Sequence, residues 1–105
     1  MADKIKVIVK RPDEKYGHMT NISNTLENLQ KTIDGYIETL TLPGYVLILN
    51  EEGRINGSPF NCWVEGFPIF GTIIVAGTQG EEFSDVGISF AEWRGVIDSS
   101  NGGRP

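Results

Sequence analysis

Cysteine and histidine are almost missing: the 105 residues hold one of each, Cys62 and His18. A lone cysteine excludes an intramolecular disulfide, and the pair is too small a set for a Cys/His zinc site. Long apolar runs are missing too. Nothing approaches the roughly 18 residues that a membrane-spanning helix needs. The opening MADKIKVIVKRPDEKYG has too short an apolar stretch for a signal peptide's central region, and no small-residue cleavage site follows it. Basic charge is scarce as well, with 9 Lys and Arg against 14 Asp and Glu and a net charge of −5. The expectation is a soluble, intracellular, mildly acidic protein with no membrane contact. Its length suits one domain with a modest core.

The charges are unevenly placed. The first fifteen residues are net basic, and residues 51–105 set Arg54, Arg94 and Arg104 against eight carboxylates. Non-specific nucleic-acid binding depends on Lys and Arg neutralising phosphates, so none is expected here. An acidic half would be steered towards a basic surface instead, but ordinary solubilising charge is the first reading.

What is present reads as alternating strands and helices. KIKVIVK, residues 4–10, alternates apolar and polar side chains as a strand does, and Pro12 ends it. Residues 13–21 read as a loop. Asn24 with Glu27 forms a capping-box pattern, and Ile22, Leu26, Leu29 and Ile33 fall on one helical face. Asp34-Gly35 closes that helix, with Gly35 suited to the left-handed position. Tyr36–Leu42 and Tyr45–Leu49 flank Pro43-Gly44 and predict a hairpin. Asn50–Gly53 is a second turn. Trp63–Phe70 is aromatic but interrupted by Gly66 and Pro68, and fits neither helix nor strand. GTIIVA, residues 71–76, predicts a strand buried on both faces, and Gly77–Gly80 a turn after it. Ser89 and Glu92 predict a second capped helix carrying Phe90, Trp93 and Ile97. The fold class expected is α+β: an antiparallel or mixed sheet of about four or five strands with two helices packed on it. Residues 4–98 form the domain, and the small, polar 99–105 a disordered tail.

Chemistry has little to stand on. Cys62 and His18 are 44 positions apart with nothing motif-like around them, so nucleophilic catalysis is not expected. Glu51/Glu52 and Glu81/Glu82/Asp85 supply paired carboxylates, but neighbours on a strand point to opposite faces, and solvated surface charge is the first reading. The spacing of a calcium loop is absent. Gly77-Thr78-Gln79-Gly80 lacks the phosphate-loop pattern, leaving a turn first and an anion cradle second. No metal, no cofactor and no enzymatic reaction are expected. Binding is better supplied. Trp63, Phe67 and Phe70 read first as completing a small core, with interface anchors as the comparable alternative. Trp63 and Phe67, with Glu65 between them and with Glu51, Glu52, Glu81, Glu82 and Asp85, are the candidate partner-binding residues.

Three stretches carry a family likeness: DGYIE at 34–38, LNEEG at 49–53 and PFN at 59–61, ahead of GTIIVAG. Over about residues 5–97 the chain resembles a small domain family of uncharacterised function, common in phages, plasmids and conjugative elements of Gram-positive bacteria. It is also similar to the type II-A anti-CRISPR proteins. That resemblance implies a non-catalytic inhibitor in the cytoplasm of a bacterial host. Its partner would be the RNA-guided type II CRISPR nuclease, in a guide-loaded form or not, and its effect would be to prevent target DNA cleavage. Such a nuclease holds its nucleic acids in a positively charged channel, which an acidic protein complements. Two other readings stand beside it. One is a sponge for a nucleotide immune signal, using Arg54, Gly77–Gly80 and aromatic stacking. The other is a homodimeric accessory module of a mobile element. Asn50 and Gly53 read as structural in the turn, and Glu51 and Glu52 are open to a partner or a ligand.

Overall fold

The computed structural model describes residues 4–102. Their strands are β1 (Lys4–Lys10), β2 (His18–Ser23), β3 (Ile37–Leu42), β4 (Tyr45–Asn50), β5 (Phe60–Val64), β6 (Phe67–Phe70), β7 (Ile73–Gln79) and β8 (Glu82–Ser84). The helices are α1 (Leu26–Ile33) and α2 (Phe90–Asn101). The fold is α+β. The main sheet runs β2-β1-β7-β4-β3, with β8 added to the end of β7, and every neighbouring pair is antiparallel. β5 and β6 form a separate two-stranded sheet.

Alternation along the central strands decides the layers. Val46 and Ile48 of β4, with Ile74 and Ala76 of β7, face α1 and pack with Leu29 and Ile33. Leu47, Ile73 and Val75 point the other way, into a core shared with Cys62, Val64 and Ile69 of the small hairpin and Trp93 and Ile97 of α2. The sheet is therefore covered on both faces, by α1 on one and by α2 with the small hairpin on the other. That is why β4 and β7 read as continuous apolar runs.

Local departures from the expected elements have physical causes. Residues 18–21, expected as loop, are strand: β2 pairs with β1 from His18 to Ser23, so the ladder supplies what its polar sequence does not. Because Ile22 belongs to that strand, α1 starts later, and its N-cap is Thr25, whose Oγ1 accepts from the Asn28 N–H at 3.1 Å. Leu26 is consequently 58% exposed, while Leu29 and Ile33 are buried. The left-handed cap is Asp34, at φ 60°, not Gly35. The capping box at Ser89 and Glu92 forms as predicted. α2 then runs through Ser99, Ser100 and Asn101, so these polar residues are helical rather than tail. Gly102 caps that helix, and 103–105 of the expected tail lie outside the described residues.

The segment 63–70 is a hairpin after all. Glu65 and Gly66 both take positive φ, 47° and 90°, which is the turn that suits the twist of two strands. The flanking pair is Val64 and Phe67, followed by Trp63 and Pro68. In an antiparallel ladder, bonded and non-bonded pairs alternate, so Pro68 falls where a backbone N–H would face outward. Its missing donor costs no ladder bond. Gly77, Thr78 and Gln79 likewise continue β7 and pair with β8, and the turn is confined to Gly80 and Glu81. Gly77 is needed because a Cβ there would collide with the Asp85 carbonyl.

One buried charge joins the hairpin to the sheet. Lys10, 2% exposed at the end of β1, points its ammonium at Asn61 Oδ1. Asn61 Nδ2 returns bonds to the carbonyls of Lys10 at 3.0 Å and Gly71 at 2.8 Å. Burial pulls the Lys10 pKa down, against the pull of Cys62, Glu14 and Asp13. Asn61→Ala is therefore expected to lower the unfolding free energy by about 3 kcal/mol in urea titrations, since it strands a buried ammonium and two carbonyls. Adding Lys10→Met to that variant should recover about 1 kcal/mol or more. Independent, additive losses would contradict the pairing.

Candidate protein-binding groove

The LNEEG turn is built around a buried carboxamide. Asn50 Nδ2 donates to the carbonyls of Ile33 at 3.4 Å and Asp34 at 3.1 Å, and Oδ1 accepts from the Glu52 N–H at 2.8 Å. The side chain thus ties the end of α1 to the end of β4. Gly35 lies against it so closely that a Cβ would sit 2.5 Å from Nδ2. Gly53 passes under the end of β6, where a Cβ would stand 3.0 Å from the Phe70 carbonyl. Asp34, Gly35, Asn50 and Gly53 therefore meet at one structural junction. Glu51 and Glu52 are left exposed beside it.

A groove of about 530 Å³ opens between this turn, β3 and β6. Leu40, Leu49, Phe67 and Ile69 give it apolar walls, and Glu38 and Glu51 line it with carboxylates. Ile55, 83% exposed, and Phe67, 46% exposed, stand at its sides. Arg54 is held over the Phe70 ring at 5.4 Å. Phe60 makes edge contacts with Trp63 and with the groove-lining Phe70, with ring centroids 6.0 and 5.6 Å apart.

The other residues singled out in the sequence do not converge there. Trp63 belongs to that aromatic cluster, and its N–H and C=O both bond to the Asn101 side chain at 2.9 Å. Glu65 sits at the hairpin tip, accepting from the Tyr45 hydroxyl and, through its backbone N–H, donating to Ser100 Oγ at 2.9 Å. Glu81 lies in the β7–β8 turn and Glu82 opens β8. Asp85 is engaged structurally, since its Oδ1 accepts from the Lys6 N–H at 2.8 Å. Leu40, Leu49, Ile55 and Glu38 were not singled out in the sequence. Leu40 and Leu49 are ordinary strand residues there, and only the docking of β6 makes them a wall.

Cys62 is not poised for nucleophilic chemistry. Burial pushes its thiol up to about 11, partly offset by Lys10. His18 instead meets Glu14 Oε2 at 2.9 Å. Among the described residues no cluster of His, Cys, Asp and Glu could hold a metal ion, and no helix is long and apolar enough to cross a membrane.

A family model matches residues 5–92, from β1 into the first turn of α2. The chain belongs to the DUF3846 family, a domain of unknown function. No curated protein and no solved structure is significantly similar to it. The match spans the DUF3846 residues that build the Asn50 junction, the Asn61 pin and the groove.

Two outcomes separate structural from exposed groups. Asn50→Ala should cost about 2 kcal/mol by chemical denaturation, because it leaves buried backbone groups unpaired, while Glu51→Gln and Glu52→Gln should stay within about 0.5 kcal/mol. Burial and the Glu65 carboxylate raise the Tyr45 pKa well above 10. The folded protein then keeps a proton that the unfolded chain loses, so this stability is full below pH 10 and declines as pH rises beyond it. Stability measured from pH 8 to 11 should fall less steeply in Tyr45→Phe than in the wild type. Equal slopes would contradict the pairing.

Proposed function

We propose that this DUF3846 protein is a non-catalytic binding protein that grips a protein partner at the groove between β3 and β6. The observation that carries this reading is the groove itself. It gathers exposed apolar side chains, Ile55 and Phe67, around a cleft with carboxylates at its margin. A small soluble domain seldom leaves such side chains open together unless they meet something, and aromatic anchors flanked by charge are what protein interfaces use. The net charge of −5 suits a basic partner surface.

The finer reading names that partner as the type II-A RNA-guided DNA nuclease, with the protein acting as an anti-CRISPR inhibitor from a phage or other mobile element. It is supported by the sequence resemblance and by charge complementarity with a positively charged channel. In it, Phe67, Ile55 and Glu51 make the contact, and the exposed Glu52 lies next to Glu51. Glu65 and Asp85 serve the fold.

Target cleavage by a purified, guide-loaded type II-A nuclease, titrated with this protein, tests the reading. Cleavage should be lost near stoichiometry, and Phe67→Ala with Ile55→Glu should raise the concentration needed by at least about tenfold. Full cleavage at large excess with several orthologues would remove the nuclease as partner. Inhibition untouched by both substitutions would remove the groove.

A further inference from the structure

We propose that β3 receives an extended segment of the protein partner as an added strand, and that this segment alternates apolar and basic residues. The inference deepens the protein-binding reading above and rests on it. Its starting point is the hydrogen-bonding phase of β3. Leu42 and Tyr45 flank the two-residue Pro43-Gly44 turn and pair with each other, so they exchange ladder bonds. Alternation then assigns Leu42, Leu40 and Glu38 to bonds with β4. The next member of the series agrees, since the Tyr36 carbonyl accepts from the Glu51 N–H at 2.9 Å. Ile37, Thr39 and Thr41 must therefore turn their N–H and C=O groups away from β4. β3 is the last strand of the sheet, so these groups face the open edge.

That edge lacks the usual protection. Its register with β4 is unbroken from Ile37 to Leu42, without a bulge. It holds no lysine and no proline, and its single charge is Glu38. Natural edges use such devices to prevent strand addition. The small hairpin shows two forms of protection in the same molecule. Pro68 removes the outward donor of β6, and the Asn101 carboxamide occupies the backbone of Trp63 on β5. β2, the opposite edge of the main sheet, does not line the apolar groove; β3 does, through Glu38, Thr39 and Leu40.

The lining selects the occupant. A strand laid along β3 would project alternate side chains towards Leu40, Phe67 and Ile69, which suits apolar residues. Glu38 and Glu51 are the charges beside it, while Arg54 is engaged with Phe70. Basic residues on the added strand answer these carboxylates. A second copy of the chain answers them poorly, because neither β3 nor β2 carries a lysine or arginine. Backbone bonds would supply affinity and the alternating side chains selectivity.

The probe is a short blocked peptide alternating valine and lysine, followed by amide hydrogen exchange and NMR shifts on the full chain. Saturating peptide should slow exchange at Thr39 and Thr41 by at least about tenfold. The same peptide with glutamate for lysine should bind at least about tenfold more weakly. Thr39→Pro, which removes an outward N–H and no ladder bond, should weaken binding equally while the melting temperature is kept. If that variant is destabilised, a peptide N-methylated along the pairing edge replaces it and should fail to bind. Unchanged Thr39 and Thr41 exchange at millimolar peptide overturns the proposal. So does a dimer of the chain that Thr39→Pro abolishes and the peptide does not compete with. Nuclease inhibition that survives Thr39→Pro would remove strand addition and leave the protein-binding reading standing. Peptide binding with the expected protection, but no inhibition of the nuclease by the chain, would support strand addition and remove the nuclease as the partner.

Discussion

Asn50, Asn61 and Asn101 each give both side-chain N–H bonds to backbone carbonyls and accept one donor on Oδ1. Each carboxamide behaves as an extra peptide unit placed where no strand or helix neighbour is available. Asn50 joins α1 to β4, Asn61 joins the β5–β6 hairpin to β1, and Asn101 joins α2 to β5. The apolar core fills both faces of the sheet but is non-directional. These carboxamides fix where the covering elements sit, because displacing one leaves buried or part-buried backbone groups without their partners.

That constraint separates two kinds of residue within the same motifs. In DGYIE and LNEEG, the aspartate, glycines and asparagine meet at a junction that closes α1 and β4. The glutamates of the turn and Glu38 of β3 face outward. A family pattern can thus be held by the scaffold while its exposed positions remain open to a partner. The hairpin divides similarly: Asn61, Cys62, Val64 and Ile69 attach it, and Phe60 and Phe67 stay exposed.

Much of this was legible in the residues. The β3–β4 hairpin, the β7 strand and the Ser89 box are signalled by short-range chemistry, namely turn dipeptides, continuous β-branched runs and a capping pair. Elements made by tertiary pairing were not legible. β2 has no apolar alternation and exists through β1. The β5–β6 hairpin was hidden by Gly66 and Pro68, which act as breakers in isolation but fit a positive-φ turn and an outward-facing ladder position. Ser99–Asn101 looked like tail because composition cannot show that Asn101 completes β5. The candidate site was legible by half. Glu51 and Phe67 were visible as exposed types, but Leu40, Leu49 and Ile55 become a groove only once β6 packs against β4, across the groove from β3. Glu65 and Asp85 looked free because their backbone and hydroxyl donors lie far away in sequence.

Side-chain amide exchange of the asparagines, followed by NMR in the native protein, tests this account most directly. The carboxamide protons of Asn50, Asn61 and Asn101 should exchange far more slowly than those of the exposed Asn21 and Asn56, and those of Asn50 and Asn61 should open only with the cooperative unit around them. Rates for Asn50 and Asn61 close to those of Asn21 and Asn56 would show that the carboxamides do not hold the covering elements, and would contradict the account.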